Sequence, residues 1–431
     1  SYPLLDNRIA ETYAKDSSAT SVKALYDSYI KAFRWSSDRL MENNEHGGVI
    51  AFVSNGAWID SNGMDSFRKC LEDEFSAIYV FNLRGNARTQ GELRRKEAGN
   101  VFGGGSRTPI SITFLVKKPI ASTDKATIYY HDIGDYLNRE DKLATISKFG
   151  SVGSDKMVWQ ILEPNEHSDW ISQRNDVFGE FIPLGSENKY DPKSQSFFLT
   201  HSLGVASSRD SWVYNASSTE LDANMKRMID FYNKERIEFQ AVLKTNSNLL
   251  AEDFISKDMT KISWNDSLKF QCSRNVELNF LPSEIRQSAY RPFYKSHLYF
   301  DRNFIQRPYQ QPKLFPTPDT KNLVICVSGV GVTKEFSTII TDIIPDLELI
   351  GKSQCFPLYY YEKQERTVMN LWDTGVDAPQ FEYVRRDGIS DFILEQARSR
   401  YGNSVTKEDI FYYVYGMLHC TEYREQFSSD L

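Results

Sequence analysis

Three strand-length runs, Val49–Val53, Ala77–Leu83 and Pro109–Val116, alternate with segments whose apolar residues recur at helical spacing, and this alternation confines the first part of the chain to an α/β sheet. The run VIAFV has no polar residue and is bounded by Gly48 and by Ser54 and Asn55, so a strand buried on both faces is expected there. In the third run Ile110, Ile112 and Phe114 alternate with Ser111 and Thr113, the pattern of a strand with one apolar face. Ser18–Met41 reads as a helix, with Leu25, Tyr29, Ala32, Phe33, Ser36 and Leu40 on one stripe, Ser21 placed to cap it and residues 43–48 ending it. Met64, Phe67, Leu71 and Phe75 mark a second helix behind Ser61. Helix, strand, helix, strand, basic excursion, strand is the order of the C-terminal half of a doubly wound sheet, which does not stand alone comfortably.

Between the second and third strands the chain turns basic. From Asn82 to Lys118, Arg84, Arg88, Arg94, Arg95, Lys96, Arg107, Lys117 and Lys118 face only Glu92 and Glu97, while the whole protein carries a net charge of −7. The stretch GNVFGGGSRTPISITFLVKK sets Phe102 ahead of Gly103, Gly104 and Gly105, with Arg107 and Thr108 following. A basic loop carrying one aromatic at a sheet edge suits a chain that grips phosphates and offers a ring to a base. Arg84, Arg88, Arg94, Arg95, Lys96 and Arg107 are candidate DNA contacts on that reading; the alternative is a solvated helix face. An acidic total does not oppose this, because binding depends on where charge sits.

Beyond Lys118 the texture changes. Residues 121–150 read as a connector made of a polar strand and a short helix, and residues 151–431 as a mixed α+β domain rich in Trp, Tyr and Pro. Leu221–Leu243 is expected to be a helix with Leu221, Met225, Met228, Ile229 and Tyr232 inward, and Lys407–Phe427 another, carrying Ile410, Val414, Met417 and Leu418. Between them RQSAYRPFYKSHLYFDRNFIQRPYQQPK is basic and aromatic, with Arg286, Arg291, Lys295, Arg302, Arg307 and Lys313 against Asp301.

Composition excludes several classes. With 431 residues, 40% hydrophobic and 25% charged, the chain is globular and large enough for more than one core. Mean hydropathy of −0.49 goes with the lack of any apolar run near a membrane span, and no signal pattern opens the sequence. Five cysteines, far apart and without CxxC or His spacing, read as reduced, cytoplasmic and mostly buried. No metal site is expected from six histidines without ligand spacing; His131 beside Asp132 and His297 near Lys295 read as structural or surface groups. Gly329 and Gly331 in NLVICVSGVGVTKEF match neither a Walker pattern nor a full GxGxxG, so a tight turn is the better reading.

Seven blocks in order, LYDSYIKAFRWSSDR, GGVIAFVSNGAWIDS, SAIYVFNLRGNAR, ELRRKEAGNVFGGGSRTPISITFLVKK, LGVASSRDSWVYN, YRPFYKSHLYFDR and LELIGKSQCFPLYYYE, resemble the C-terminal part of type ISP restriction-modification enzymes. Those are single-chain proteins with nuclease, helicase, adenine-N6 DNA methyltransferase and target-recognition domains. The resemblance implies that residues 1–120 are the later strands of the methyltransferase and that residues 151–431, after the 121–150 connector, are the target-recognition domain. It also implies double-stranded DNA as a partner, S-adenosylmethionine as cofactor of the parent, and upstream methyltransferase, helicase and nuclease regions, on the same polypeptide or on a separate subunit.

Enzymes of this kind carry an Asn-Pro-Pro-Tyr tetrapeptide for the target amine and a Gly-rich cofactor loop upstream of it. This sequence contains no Pro-Pro, and its first residues resemble the segment just downstream of that tetrapeptide. A fragment is therefore expected, without catalytic residues and without tight cofactor binding of its own. The family's base-pocket aromatic, in the loop before the final hairpin, matches Phe102, with Gly103, Gly104 and Gly105 admitting a ligand close to the backbone. Packing of Phe102 on the sheet is the alternative. Ser54, Asn55 and Trp58 follow the first strand at the edge where such sheets bind ligands, but an Asx turn and a packing Trp are the better reading. In the second domain Ser207, Arg209, Asp210 and Trp212, preceding a strand, and Arg291, Lys295, Arg302, Gln306, Arg307 and Gln310 carry side chains that read base edges or phosphates. Three functions fit: part of a restriction-modification methyltransferase, a stand-alone DNA-specificity subunit, or an unrelated module binding a small phosphate ligand.

Overall fold

The computed structural model describes every residue except 1, 20, 43–45, 120–124, 333–334 and 366–380. Its described residues divide into two compact units, residues 1–179 with 427–431, and residues 180–426.

Unit 1 is built on a five-stranded sheet in the order β1-β3-β2-β4-β5, with β1 Gly48–Asn55, β2 Ala77–Asn82, β3 Ile110–Lys117, β4 Thr127–Asp132 and β5 Gln160–Leu162. β3 runs antiparallel between β1 and β2, and β4 lies parallel beside β2. The sheet is thus mixed where the doubly wound pattern calls for a purely parallel half-sheet. The reason is that β2 and β3 are joined by a return excursion and not by a crossover helix packed on the sheet, so the two strands pair as a hairpin. Residues 127–149, read from sequence as connector, supply β4 and the helix α5 (Arg139–Phe149) to this unit.

Helices α1 (Pro3–Glu11), α2 (Ser28–Glu42) and α3 (Asp65–Glu74) complete one face, where Phe33, Phe67, Leu71, Ile78, Val80, Leu115 and Ile128 are buried together. The helix expected over 18–41 begins only at Ser28. Asp65 accepts from Ser17 Oγ at 2.9 Å and from Ser18 N at 3.0 Å, which ties that segment to the start of α3, and only a single 3₁₀ turn, Lys23–Tyr26, precedes the extended Asp27. Ser21 therefore caps nothing, and the expected helix end falls partly at residues outside the described ones. On the other face α5 covers Phe81, Ile110 and Ile133 with Phe149 and Trp159.

Two strand expectations are corrected. β1 is not buried on both faces: Ile50 and Phe52 pack inward, with Phe52 4.5 Å from Phe33, but Val49 is 63% and Val53 56% exposed, because the second face is covered only beyond β3. In β3 the polar residues are the deeply buried ones. Ser111 and Thr113 point with Leu115 into the helical core, and Ser111 sits where the backbone at Gly56 leaves no room for more: a Cβ on Gly56 would lie 3.3 Å from that of Ser111. Asn55 and Trp58 behave as the better reading has it. Asn55 Oδ1 accepts from Ala57 N at 3.0 Å, and Trp58 is fully buried against Phe67 and Trp170.

Unit 2 contains two four-stranded sheets and a hairpin. One sheet is ordered β11-β10-β13-β6, from β6 Ser202–Leu203, β10 Val324–Val327, β11 Thr338–Thr341 and β13 Gln354–Pro357; the other is β12-β8-β9-β7, from β7 Tyr214–Asn215, β8 Ile285–Arg291, β9 Tyr294–Tyr299 and β12 Ile344–Pro345. β14 (Tyr359–Glu365) pairs with β15 (Phe381–Asp387). The short α6 (Asp210–Val213) leads through β7 to α7 (Ser218–Leu243), whose Leu221, Met225, Met228, Ile229 and Tyr232 are all buried, as their spacing predicts. Smaller helices α8 (Ala251–Phe254), α9 (Asp266–Ser273) and α10 (Gln311–Leu314) come next, and α11 (Asp391–Tyr401), α12 (Lys407–Met417) and α13 (Thr421–Gln426) close the unit. The single helix expected over 407–427 is two, since 3₁₀-type bonds from His419 to Gly416 and from Cys420 to Met417 end α12 next to a glycine, a poor helix former. Gly329 and Gly331 lie in the turn region between β10 and β11, partly outside the described residues, and none of the described residues between them and β11 is helical. No described helix is long and apolar enough to cross a membrane.

Candidate nucleic-acid interface

β1, β2 and β4 run in one direction, so Asn55, Asn82 and Asp132 end on the same edge of the unit 1 sheet, where β3 starts at Ile110. Ligands of open α/β sheets bind outside that edge. The excursion over residues 83–109 rises from it and is pinned at its base. Asn100 donates from Nδ2 to Thr108 O at 2.9 Å and accepts at Oδ1 from Phe102 N at 3.0 Å. From α5, Arg139 Nε donates to Val101 O at 3.0 Å, and Lys142 Nζ donates to Glu97 O at 2.9 Å and Gly99 O at 2.7 Å. Lys142 is fully buried without an ion pair among the described residues, and burial pushes its ammonium down to about 8.

Above this fixed stem the tip is open. Val101 is buried, whereas Phe102 is 63% exposed. Gly103 and Gly105 have φ of +74° and +104°, a region costly for any residue with a Cβ, and nothing lies within 4 Å of a Cβ built on Gly104 or Gly105.

The cations of the excursion divide into bound and unbound. Arg84 donates from Nε to Asp132 at 2.7 Å and pairs through Nη1 with Asp135, so that burial, which opposes its charge, is outweighed and its pKa is raised. Arg95 pairs with Glu92, and Lys96 lies 3.9 Å from Asp135. Arg94, on α4 (Gly91–Glu97), donates to Ala98 O at 2.7 Å. Arg88 and Arg107 are exposed and have no ion pair among the described residues. The positive excess counted from the sequence is thus reduced by Asp132 and Asp135, which lie outside the counted window and fold onto it.

In unit 2 the structure brings Ser207, Asp210 and Arg291 together with residues the sequence did not mark. Asp210 accepts from Ser207 Oγ and, at 2.8 Å, from Tyr290 Oη. Arg291 stacks on Tyr290, its guanidinium carbon 3.9 Å from the ring centre, and donates to Asp346 at 2.8 Å. Asp346 also accepts from Tyr214 Oη at 3.0 Å; its burial, against these partners, raises its pKa. The Ser207–Asp210 spacing is a local signal of this kind of turn. Tyr214, Tyr290 and Asp346 give none, being joined only by the fold.

The other predicted residues are spread out. Arg209 is buried beside this network, Trp212 is in the core under Arg227, and Arg286 is buried and bonded to the carbonyls of Phe315 and Thr317. Gln306 donates from its backbone to Ser207 O at 3.4 Å, and Arg307 bridges Ala206. Gln310 accepts from Tyr190 Oη at 3.1 Å. Lys295, Arg302 and Arg307 are exposed. At the β8–β9 turn Phe293, which the sequence did not single out, is 97% exposed.

The family model for the type ISP C-terminal specificity domain matches residues 196–431. Among solved structures, a nuclease-deletion mutant of the type ISP restriction-modification enzyme LlaGI, in complex with a DNA substrate mimic, is similar over 100% of this chain and 31% of its own, at 37% identity and a TM-score of 0.74. The ATP-dependent type ISP enzyme LlaBIII bound to DNA is similar over 100% of this chain and 26% of its own, at 34% identity and a TM-score of 0.77. A DrdV–DNA complex matches over 100% of this chain and 39% of its own, at 29% identity and a TM-score of 0.75. This chain therefore spans well under half the length of each of these proteins. A comparison with curated proteins found no match.

Proposed function

Because the chain belongs to the type ISP C-terminal specificity domain family across residues 196–431, we propose that unit 2 recognises a DNA sequence for a restriction-modification adenine-N6 DNA methyltransferase. In the same reading, unit 1 is the later part of the methyltransferase sheet and handles the target base. The observation that carries the second half is the exposed Phe102 ring on a stem held by Asn100, Arg139 and Lys142. A base taken out of the duplex needs an aromatic face, and this ring is exposed on a backbone whose stem is already held in place. Double-stranded DNA is the proposed partner, together with the methyltransferase, helicase and nuclease regions of the parent. Exposed Arg88 and Arg107 in unit 1, and Lys295, Arg302 and Arg307 in unit 2, serve the phosphates.

S-adenosylmethionine belongs to the parent in this proposal. At the sheet edge Asp132 and Asp135 are paired with Arg84, and Asp132 also accepts from Tyr130 Oη at 3.1 Å, so both carboxylates serve to hold the base of the excursion. The test is duplex binding by the purified chain at several salt concentrations. The reading requires affinity that falls steeply as salt rises; salt-insensitive binding, or none, removes it.

A further inference from the structure

The β8–β9 hairpin is held firmly below its turn and carries a bare aromatic ring at the tip. Arg291 and Tyr294 are the last paired residues, so Pro292 and Phe293 make the turn. The residues leading into it are fixed. Tyr290 Oη donates to Asp210 at 2.8 Å, while Arg291 Nη1 donates to Asp346 at 2.8 Å and to Tyr290 O at 2.6 Å with its guanidinium over the Tyr290 ring. Tyr294 meets that ring edge-on, 6.4 Å between centres. The register also slips between Ala289 and Arg291, an irregularity of the kind that re-aims the residues after it.

Phe293 itself gains nothing from the fold. It is 97% exposed, and its φ of +61° lies in the left-handed region, where Gly or Asn is the ordinary choice after a turn Pro. A solvated ring and a strained backbone both count against the native state. A bulky residue held in that conformation at a fully open turn points to a contact made outside the chain.

We propose that Phe293 is an intercalating wedge of unit 2, whose ring enters the bound duplex and partly unstacks one base step, making the ease of opening that step part of what the domain recognises. The inference rests on the DNA-recognition reading above. A duplex is favoured over a protein surface by what flanks the ring. Lys295, on the strand that leaves the turn, is exposed and lies 3.9 Å from the equally exposed Asp342, a solvated pair that yields readily to a phosphate. An apolar ring beside a reachable cation matches a base stack bordered by phosphates, and a two-stranded hairpin is narrow enough to enter a groove.

The full chain, wild type and with Phe293→Gly or Phe293→Leu, is first taken through selection from a random duplex library. It is then titrated with the selected site carrying 2-aminopurine at one position at a time, and unfolded thermally. In the wild type, fluorescence is expected to rise on binding at one step of pyrimidine–purine type, which opens most easily. Phe293→Gly should lose that rise and the preference for that step, and bind at least about 5-fold more weakly, the lower end of what ring–base stacking supplies. Its salt slope should stay unchanged. Phe293→Leu should keep most of the rise, since an aliphatic side chain also serves as a wedge. Phe293→Gly should unfold at the same temperature or higher, because glycine adopts a positive φ without strain. A lower unfolding temperature with the fluorescence rise intact makes the ring structural and overturns the proposal. So does a rise that is lost with Phe102→Ala and kept with Phe293→Gly, which belongs to base extrusion at unit 1. Duplex binding by Phe293→Gly that equals the wild type in affinity and fluorescence assigns the ring to a protein surface and overturns this proposal alone. If the wild-type chain binds no duplex, the DNA-recognition reading falls and takes this proposal with it.

Discussion

Lys142 beneath the Gly-rich loop gives a test that separates electrostatics from packing. Its ammonium donates to two backbone carbonyls, Glu97 O and Gly99 O, with no carboxylate bonded to it, and burial takes its pKa from 10.5 to about 8. The folded state therefore holds this proton less tightly than the unfolded chain. Below about pH 8 both states are protonated and the residue adds no slope; between about 8 and 10.5 the unfolded chain carries more protons, so stability rises with pH. Integrating that difference gives a gain of about 1.3 kcal/mol between pH 7 and pH 9. Desolvated thiols act the other way above pH 9, since the half-buried Cys70 and the buried Cys272 are pushed up to about 12 and about 11 and keep their protons in the fold. A comparison with Lys142→Met cancels them. Pulse proteolysis in urea at pH 7, 8 and 9, with fragment masses assigning the loss to unit 1, reads the stability of each protein. The Met variant is expected to be less stable at pH 7 by about 1–3 kcal/mol, because two carbonyls lose their donor, and the gap to wild type should widen with pH. Parallel profiles would refute the reasoning, showing that the two carbonyls hold the ammonium as well as water does.

Three further outcomes are expected from the same geometry. Phe102→Ala should reduce methylation by an enzyme carrying this chain by about the 1–3 kcal/mol that base–aromatic stacking supplies, while the thermal unfolding of the chain, with that ring exposed, stays unchanged; lost stability with unchanged methylation would return the ring to a packing role. Charge reversal at Arg88 and Arg107, the exposed cations of the excursion without an ion pair among the described residues, should weaken duplex binding by the same factor for all sequences and flatten its salt dependence, and unaltered titrations would take the excursion off the DNA. The purified chain alone should transfer no labelled methyl group from S-adenosylmethionine to DNA, and any incorporation above background would overturn the assignment of donor and amine binding to the rest of the parent.

The sequence was most informative where burial repeats at one period. The inward stripe of α7 and the strand-length runs at β1 to β3 could be read directly, because each needs only its own periodicity. The sheet's second face could not. Whether Val49 and Val53 are covered depends on how far α5 extends across the sheet, and whether Ser111 or Ile112 faces the helical core depends on the close approach of Gly56. Strand pattern fixes alternation but not which side is deeper, and in β3 the small polar side chains took the deeper side because the facing backbone left no more room. Helix starts failed for a related reason. Ser18 looks like part of a helix in sequence, but its hydroxyl and amide are claimed by Asp65, 47 residues away.

Charge was the least legible property, because the partner of an arginine is chosen by the fold. The basic window around Phe102 loses Arg84 to Asp132 and Asp135, whose own sequence context is a polar strand end with no mark of that role. In unit 2 the same choice runs in the opposite direction. Arg209 and Arg291 look equivalent in sequence, each next to a residue able to anchor it, yet Arg291 stacks on Tyr290 and takes Asp346 while Arg209 is buried with nothing to bind. An ion pair formed inside the free protein is already satisfied and gains little from a new partner. The cations able to serve a phosphate should therefore be sought among those the fold leaves exposed and unpaired, such as Arg88 and Arg107, and the density of Arg and Lys along the chain marks only the segment in which to look.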